Sequence, residues 1–274
     1  MKENSNRKKA GIILQKLARV LLWLYLAVVG IIVLHYGRRI FVADRFRIPS
    51  WSMAPTLVPG DHVWVNKLLF GARLYTSLDF QDHAPLKSIR MPGLRKIRPG
   101  DIIVFNFPFG FNDWSKVEFK INYVFCKRVL GTPGDTISIV DGINRNHGFP
   151  GIIGIEESQK RLGSIPDSIL AAGNCLMAVP LSHPIWTIRN LGPLYVPQKG
   201  TTVRLDSIGR YLYQPVIEYE TGQSMTDMQE YTFQQNWYFA VGDNCTDSQD
   251  SRYWGFIPED FIIGIVVSHL LPHI

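Results

Sequence analysis

Between Val20 and His35 the chain has no charged residue, and the stretch is filled with Leu21, Leu22, Trp23, Leu24, Leu26, Val28, Val29, Ile31, Ile32, Val33 and Leu34. No other stretch restricts the fold so strongly. A segment apolar on every face has no polar side to turn to water, as a surface helix of a soluble protein must. In lipid the backbone must satisfy its own hydrogen bonds, which a single segment achieves only as a helix. Ile12, Ile13 and Leu14 extend the run toward the roughly twenty residues that a bilayer requires. Trp23 and Tyr25 toward one end and Tyr36 at the other suit the two interfaces. A cleaved leader would be followed by small residues, whereas Tyr36-Gly37-Arg38-Arg39 follows here, so residues 20–37 read as a retained anchor. Lys2, Arg7, Lys8, Lys9, Lys16 and Arg19 precede it against one acid, Glu3. That places the basic tail 1–19 in the cytoplasm and the remainder outside, although Arg38, Arg39, Arg45 and Arg47 pull the other way.

After Ile48 the periodicity changes. Pro-Gly-Asp occurs at residues 59–61, 99–101 and 133–135, each time before a β-rich run: His62–Lys67, Ile102–Phe107 and Thr136–Val140. Pro followed by Gly suits the centre of a type II turn, whose third residue needs a positive φ. Three turn-then-strand units predict a mostly β, antiparallel fold. Residues 70–98 read as an extended hairpin or loop. Residues 141–232, rich in Gly, Pro and polar side chains, read as a smaller β domain inserted into a catalytic core made of residues 38–140 and 233–274. Strands are expected in it at Thr201–Leu205 and Tyr211–Tyr213, with a short helix near Pro166–Ala172. Phe261–Ile274 is too short, and too interrupted by Ser268, His269 and Pro272, for a second membrane helix, and reads as a closing strand.

The net charge of +6 is concentrated in the N-terminal tail and lacks any nucleic-acid-binding motif, so no nucleic-acid partner is expected. Cys126, Cys175 and Cys245 are too few for a disulfide framework and form no Cys-x-x-Cys metal pair; neither metal nor cofactor is expected.

Three stretches carry chemistry. The first is Pro49-Ser50-Trp51-Ser52-Met53-Ala54-Pro55-Thr56-Leu57. The second is Lys127-Arg128-Val129-Leu130-Gly131-Thr132-Pro133-Gly134-Asp135. The third is Gly242-Asp243-Asn244-Cys245-Thr246-Asp247-Ser248-Gln249-Asp250-Ser251-Arg252. A serine needs a base before it can attack an amide. His62, His147, His183, His269 and His273 lie in no serine-protease context, and His35 and His83 fall at the membrane boundary and in a loop. Alternation along the strand-like run Tyr123–Gly131 sets Lys127 on one face with Phe125 and Val129, and Val124, Cys126 and Arg128 on the other. Apolar neighbours disfavour an ammonium and lower a lysine's pKa from about 10.4, as a general base requires. Read alone, the same lysine is equally a solvated one on an edge strand.

In order and content the three stretches resemble those of bacterial type I signal peptidase, a family of membrane-anchored serine–lysine peptidases. The resemblance implies Ser52 as nucleophile and Lys127 as general base, with the Ser52 N–H and the Ser50 hydroxyl as the oxyanion hole. It implies that Ser248 hydrogen-bonds and orients Lys127, while Asp250, Arg252 and Asp243 support the loop. Phe46, Ile48, Pro49, Phe125 and Cys126 would wall an apolar substrate pocket, and Met53 would pack beneath the nucleophile. Trp51 stands where the family favours a small residue and must point out of the cleft. Cys245 and Thr246 stand where it has Arg and Asp. The implied activity is removal of N-terminal signal peptides from exported preproteins after a small-x-small site. It would take place at the outer face of the bacterial cytoplasmic membrane, close to the secretion translocon. The alternative from another class is an impaired, membrane-anchored paralogue that binds preproteins without cutting them. Cys126 and Cys245, each beside one of these stretches, are expected to lie near each other as free thiols.

Overall fold

The computed structural model describes residues 2–77, 86–110, 116–172, 186–225 and 228–270. Cys175, His83, His183, Pro272 and His273 lie outside the described residues. Helix α1 (Lys2–Gly37) contains the apolar span, which from Ile13 to Val42 has a mean hydropathy of 2.5. It is the one helix among the described residues long and apolar enough to cross a membrane. Its apolar side chains, from Leu17 to Leu34, are left uncovered by the rest of the fold.

The helix passes through one wide turn, Arg38–Val42, directly into β1 (Ala43–Arg47). Three contacts fasten this exit to β2 (His62–Asn66). Lys67 Nζ donates to the Arg39 carbonyl at 2.6 Å, the Lys67 N–H donates to the Val42 carbonyl at 2.8 Å, and the Arg38 guanidinium lies 5.3 Å from the Trp64 ring centroid.

The remaining elements follow in order. The strands before the accessory helices are β3 (Arg73–Tyr75), β4 (Ser88–Arg90), β5 (Ile102–Asn106), β6 (Val124–Gly131), β7 (Thr136–Val140) and β8 (Ile143–Asn146). Next come α2 (Glu156–Gly163), α3 (Asp167–Ala172), β9 (Leu191–Tyr195), β10 (Thr202–Arg204), α4 (Ser207–Thr221) and β11 (Glu230–Thr232). The chain then runs through β12 (Trp237–Val241), α5 (Ser251–Trp254), β13 (Ile257–Pro258) and β14 (Ile262–Leu270). Seven strands form one antiparallel sheet in the order β1-β2-β14-β5-β6-β12-β13, and β8-β7-β9 form a second. Within residues 70–98, where an extended hairpin or loop was expected, β3 pairs antiparallel with β4.

All three Pro-Gly-Asp turns are built alike. Gly60, Gly100 and Gly134 have φ of 100°, 92° and 92°, the conformation that favours glycine. In each turn the Asp N–H donates to the carbonyl three residues earlier: Val58, Arg98 and Thr132, at 3.1, 3.1 and 3.0 Å. The Asp carboxylate returns the bond by accepting from the N–H of that same residue, at 2.9, 2.9 and 2.8 Å. Pro and Gly set the dihedrals, and Asp closes the ring from both sides.

Two apolar clusters lie on opposite faces of the large sheet around β5 and β6. Val129, Phe105, Phe107, Phe109 and Trp254 pack in one; Ile48, Met53, Leu57, Val63, Val65 and Val104 pack in the other. A third cluster joins Leu130, Ile137, Leu194 and Phe239 to Leu212, Val216 and Ile217 of α4, seating the second sheet against the first. Gly131 sits at this seam, where a side chain would meet Val196 and Ile137 methyl groups at 2.7 and 2.8 Å.

One expectation is corrected. Tyr211–Tyr213 is part of helix α4 and not a strand. Two tyrosines favour β structure locally, but Leu212, Val216 and Ile217 recur at helical spacing and are all buried. Asp206 caps the start by accepting from Gly209 N–H at 2.7 Å, and Gly222 at φ 67° ends it. Among the described residues, 141–232 therefore mix short strands with the helices α2, α3 and α4. Thr202–Arg204 and Asp167–Ala172 fall where a strand and a helix were expected.

Asp135 Oδ2 accepts from Thr132 N–H, Thr132 Oγ1 and Asn146 Nδ2, each at 2.8 Å. Asp135→Ala strands these donors and should lower unfolding stability by about 1–3 kcal/mol, measured by urea titration in detergent.

Candidate active site

The β1–β2 connection carries the first functional stretch. It is pinned at its base by Ile48 N–H to the Asp61 carbonyl at 2.8 Å and Gly60 N–H to the Ile48 carbonyl at 2.9 Å. Ile48, Met53 and Leu57 anchor it from below, each at most 4% exposed. Met53 thus packs beneath the turn that carries Ser52. The tight turn Trp51–Met53 lifts Ser52 while Ser50 stays extended, and the two hydroxyl oxygens lie 3.3 Å apart. Trp51 points outward and is 58% exposed.

Lys127 comes from β6. Its amine donates to Ser52 Oγ at 2.5 Å. The residue is only 3% exposed, and its nitrogen lies 5.6 Å from the Phe125 ring centroid. The predicted alternation holds: Phe125 and Val129 join one apolar cluster, Val124 and Cys126 the other. Burial pushes the Lys127 pKa below its ordinary value, against the pull of Asp250 and Asp243. Burial also pushes the neighbouring Cys126 thiol up to about 12, which makes it a poor nucleophile at neutral pH.

Neither carboxylate bonds to Lys127, because each is taken by an arginine. Asp243 receives Arg128 Nε at 2.7 Å and Nη2 at 2.6 Å, together with Thr56 Oγ1 at 2.5 Å. Asp250, wholly buried, receives Arg252 Nε and Nη2, both at 2.8 Å, and Gly242 N–H at 2.9 Å. Burial would raise the Asp250 pKa, but the charge and hydrogen bonds of Arg252 outweigh it and hold the carboxyl below its usual range. Burial likewise works against the Arg252 cation, and Asp250 more than compensates. Two bidentate Arg–Asp pairs thus flank the lysine.

The implied contact between Ser248 and Lys127 is absent from the hydrogen bonds of the described residues. The Ser248 hydroxyl donates to Asp250 Oδ2 at 2.7 Å instead, a carboxylate two residues away being the stronger acceptor. Asp250 in turn acts on Lys127 only through its charge. Arg128 and Thr56 were visible inside their motifs, but no role followed from sequence. Arg128 points to the face opposite Lys127, and only the pairing of β6 with β12, Arg128 opposite Val241, brings it beside Asp243.

Beside Ser52 and Lys127 opens a cleft of about 500 Å³. Ile48, Pro49, Met53, Phe125 and Cys126 form its apolar wall, and Ser50 also borders it. Asn122, Asp247 and Gln249 add polar lining that sequence reasoning missed. Phe46 does not line the cleft and packs on the Ile48–Met53 cluster behind it. Cys126 and Cys245 are both free thiols in different surroundings, the first at the cleft and the second against Leu162, Leu170 and Ile188.

Gly242 is where the loop touches the turn that carries Ser52. A side chain there would lie 2.1 Å from Ser248 Oγ and 2.5 Å from the Ser52 carbonyl oxygen. Gly242→Ala should lower kcat/KM on the protein's substrate about 100-fold or more, with an unchanged circular dichroism spectrum.

The chain matches the family described as "Signal peptidase, peptidase S26" over residues 20–147 and 192–271, most of its length. It is similar to signal peptidase I of Buchnera aphidicola subsp. Baizongia pistaciae, with 28% identity over 249 residues, covering 86% of this chain and 72% of the relative. It is similar to signal peptidase I of Pseudomonas aeruginosa, with 28% identity covering 83% of this chain and 61% of the relative. With that of Rickettsia conorii the identity is 29%, covering 82% and 70%. The gap between the matched segments contains α2 and α3, so the family's shared part is the sheet and the stretches that meet at Ser52, and on that ground the chain belongs to the signal peptidase family, peptidase S26.

Proposed function

We propose that Ser52 and Lys127 act as nucleophile and general base in removing N-terminal signal peptides from exported preproteins. The observation that carries this reading is the 2.5 Å contact from Lys127 Nζ to Ser52 Oγ by an amine that is buried and has no carboxylate partner. A neutral amine takes the Ser52 proton as Oγ attacks the scissile carbonyl carbon. The resulting ammonium returns that proton to the departing amine, leaving an acyl-enzyme. Lys127 then takes a proton from water, whose oxygen attacks the ester and releases Ser52. The Ser50 hydroxyl and the Ser52 N–H supply donors for the developing oxyanion. The apolar cleft between Ile48 and Phe125 suits small side chains, which supports a small-x-small site.

The apolar helix supports action at a bilayer, and the fastening of its exit to β2 holds the cleft close to the membrane surface. There a signal helix presents its cleavage site, beside the secretion translocon. The basic tail supports a cytoplasmic N-terminus, with the catalytic sheet on the outer face of the bacterial cytoplasmic membrane. In spheroplasts, external protease should digest the sheet and spare an epitope placed in residues 1–19; the reverse pattern refutes this orientation.

The non-cleaving alternative rested on Cys245 and Thr246. Neither lines the cleft; Cys245 is buried among apolar side chains and Thr246 is exposed. Their substitution leaves the serine–lysine contact untouched.

Purified protein in detergent should cut a preprotein with an Ala-x-Ala site, and Ser52→Ala and Lys127→Ala should each reduce cutting to background. Because the folded-state pKa of Lys127 is lowered, kcat/KM should rise with pH through a value below 10.5. Lys127→Arg should not restore cutting, since a guanidinium does not deprotonate. Cutting that survives Lys127→Ala identifies another base, and binding without cutting by wild type supports the alternative.

A further inference from the structure

Helix α2 lies against the back of the 242–248 loop and reaches the nucleophile turn through two residues. Ser158 Oγ accepts the Cys245 N–H at 2.9 Å, with both residues buried. The Cys245 carbonyl is held from the other side by Arg252 Nη2 at 3.0 Å. The preceding residue grips the Ser52 turn: Asn244 N–H donates to the Ser52 carbonyl at 3.1 Å, and Asn244 Nδ2 donates to the Trp51 carbonyl at 3.2 Å. Arg161 Nη2 adds a longer contact to Asn244 Oδ1 at 3.4 Å.

The mount is itself fixed. Gln159 of α2 is fully buried, its Oε1 accepting from Asn144 N–H on β8 and its Nε2 donating to the Ile153 carbonyl, both at 2.8 Å. Gly154, at φ 96°, lets the incoming backbone pass so near the loop that a side chain would stand 3.4 Å from Asp243 Oδ1.

We propose that α2 is a positioning element for the nucleophile, with Ser158 and Asn244 as its positioning residues. Ser158 sets the Cys245 peptide, this sets Asn244, and Asn244 sets the height of Ser52 against Lys127. The arrangement also accounts for the unusual residue at 245. Its side chain occupies an apolar pocket of Leu162, Leu170 and Ile188. The thiol lies 3.9 Å from the Gly242 and Asp243 carbonyl oxygens, so the side chain at 245 is enclosed within the loop. The loop holds its shape by packing under α2.

This inference rests on Ser52 and Lys127 being the catalytic pair, so two readouts are needed. In the full-length protein, Ser158→Ala should lower kcat on the Ala-x-Ala preprotein about tenfold and leave KM within about twofold. Ser158→Thr, which keeps the acceptor oxygen, should recover most of that kcat. Equal losses in both variants, or no loss in either, overturn the proposal. Independently of cleavage, Ser158→Ala should speed amide hydrogen exchange at Asn244 and Cys245 about tenfold or more, with β12 still protected. Unchanged exchange there overturns the coupling whatever the activity. Absence of cleavage by wild type would instead strike at the catalytic reading, and the exchange experiment would still judge the clamp.

Discussion

A lysine amine held out of water, 2.5 Å from a serine hydroxyl, is the constraint on which the rest of this structure depends. An ammonium in that position would need a counter-charge, and two carboxylates stand close enough to be felt by it. Asp243 and Asp250 are each engaged by an arginine in bidentate geometry, so neither offers Lys127 a hydrogen bond. Burial then prevails over their attraction and lowers the Lys127 pKa from its ordinary value. The arginines act without touching Ser52, by satisfying the two acids that would otherwise hold Lys127 as a cation.

That constraint accounts for much of the surrounding architecture. The large sheet must curl, since β2 and β6 are separated by β14 and β5 yet Ser52 and Lys127 touch. The apolar clusters on either face of β5 and β6 exclude water from the amine while leaving one side open to the cleft. The loop after β12 must pass within contact of the Ser52 carbonyl, and glycine at 242 permits that approach. The Pro-Gly-Asp turns close strands at three places with the same reciprocal bond, which stiffens the frame that holds serine and lysine in register.

The family match leaves out the segment containing α2 and α3, but in this chain α2 touches the loop behind Ser52. At 245 and 246 the sequence departs from the family's Arg and Asp. In the fold the thiol is packed, its peptide is gripped from both sides, and Thr246 faces solvent.

What the sequence by itself determined is whatever local chemistry dictates. The apolar run forced a long helix, Pro-Gly-Asp forced three turns, and period-two alternation put Lys127 on a dry face with Phe125. Motif order brought Ser52, Lys127 and the 242–252 loop into one site. What only the tertiary structure decided is which long-range partners these residues meet. The β6–β12 register, Arg128 opposite Val241, gives Asp243 to Arg128. Geometry within the loop turns Ser248 toward Asp250 and away from the lysine. Helical burial overrode the β preference of Tyr211 and Tyr213, and Phe46 fell behind the cleft wall. Apart from the Ser248 turn, which is set by the folded shape of its own loop, these depend on packing between segments far apart in the chain, about which short-range spacing carries no information.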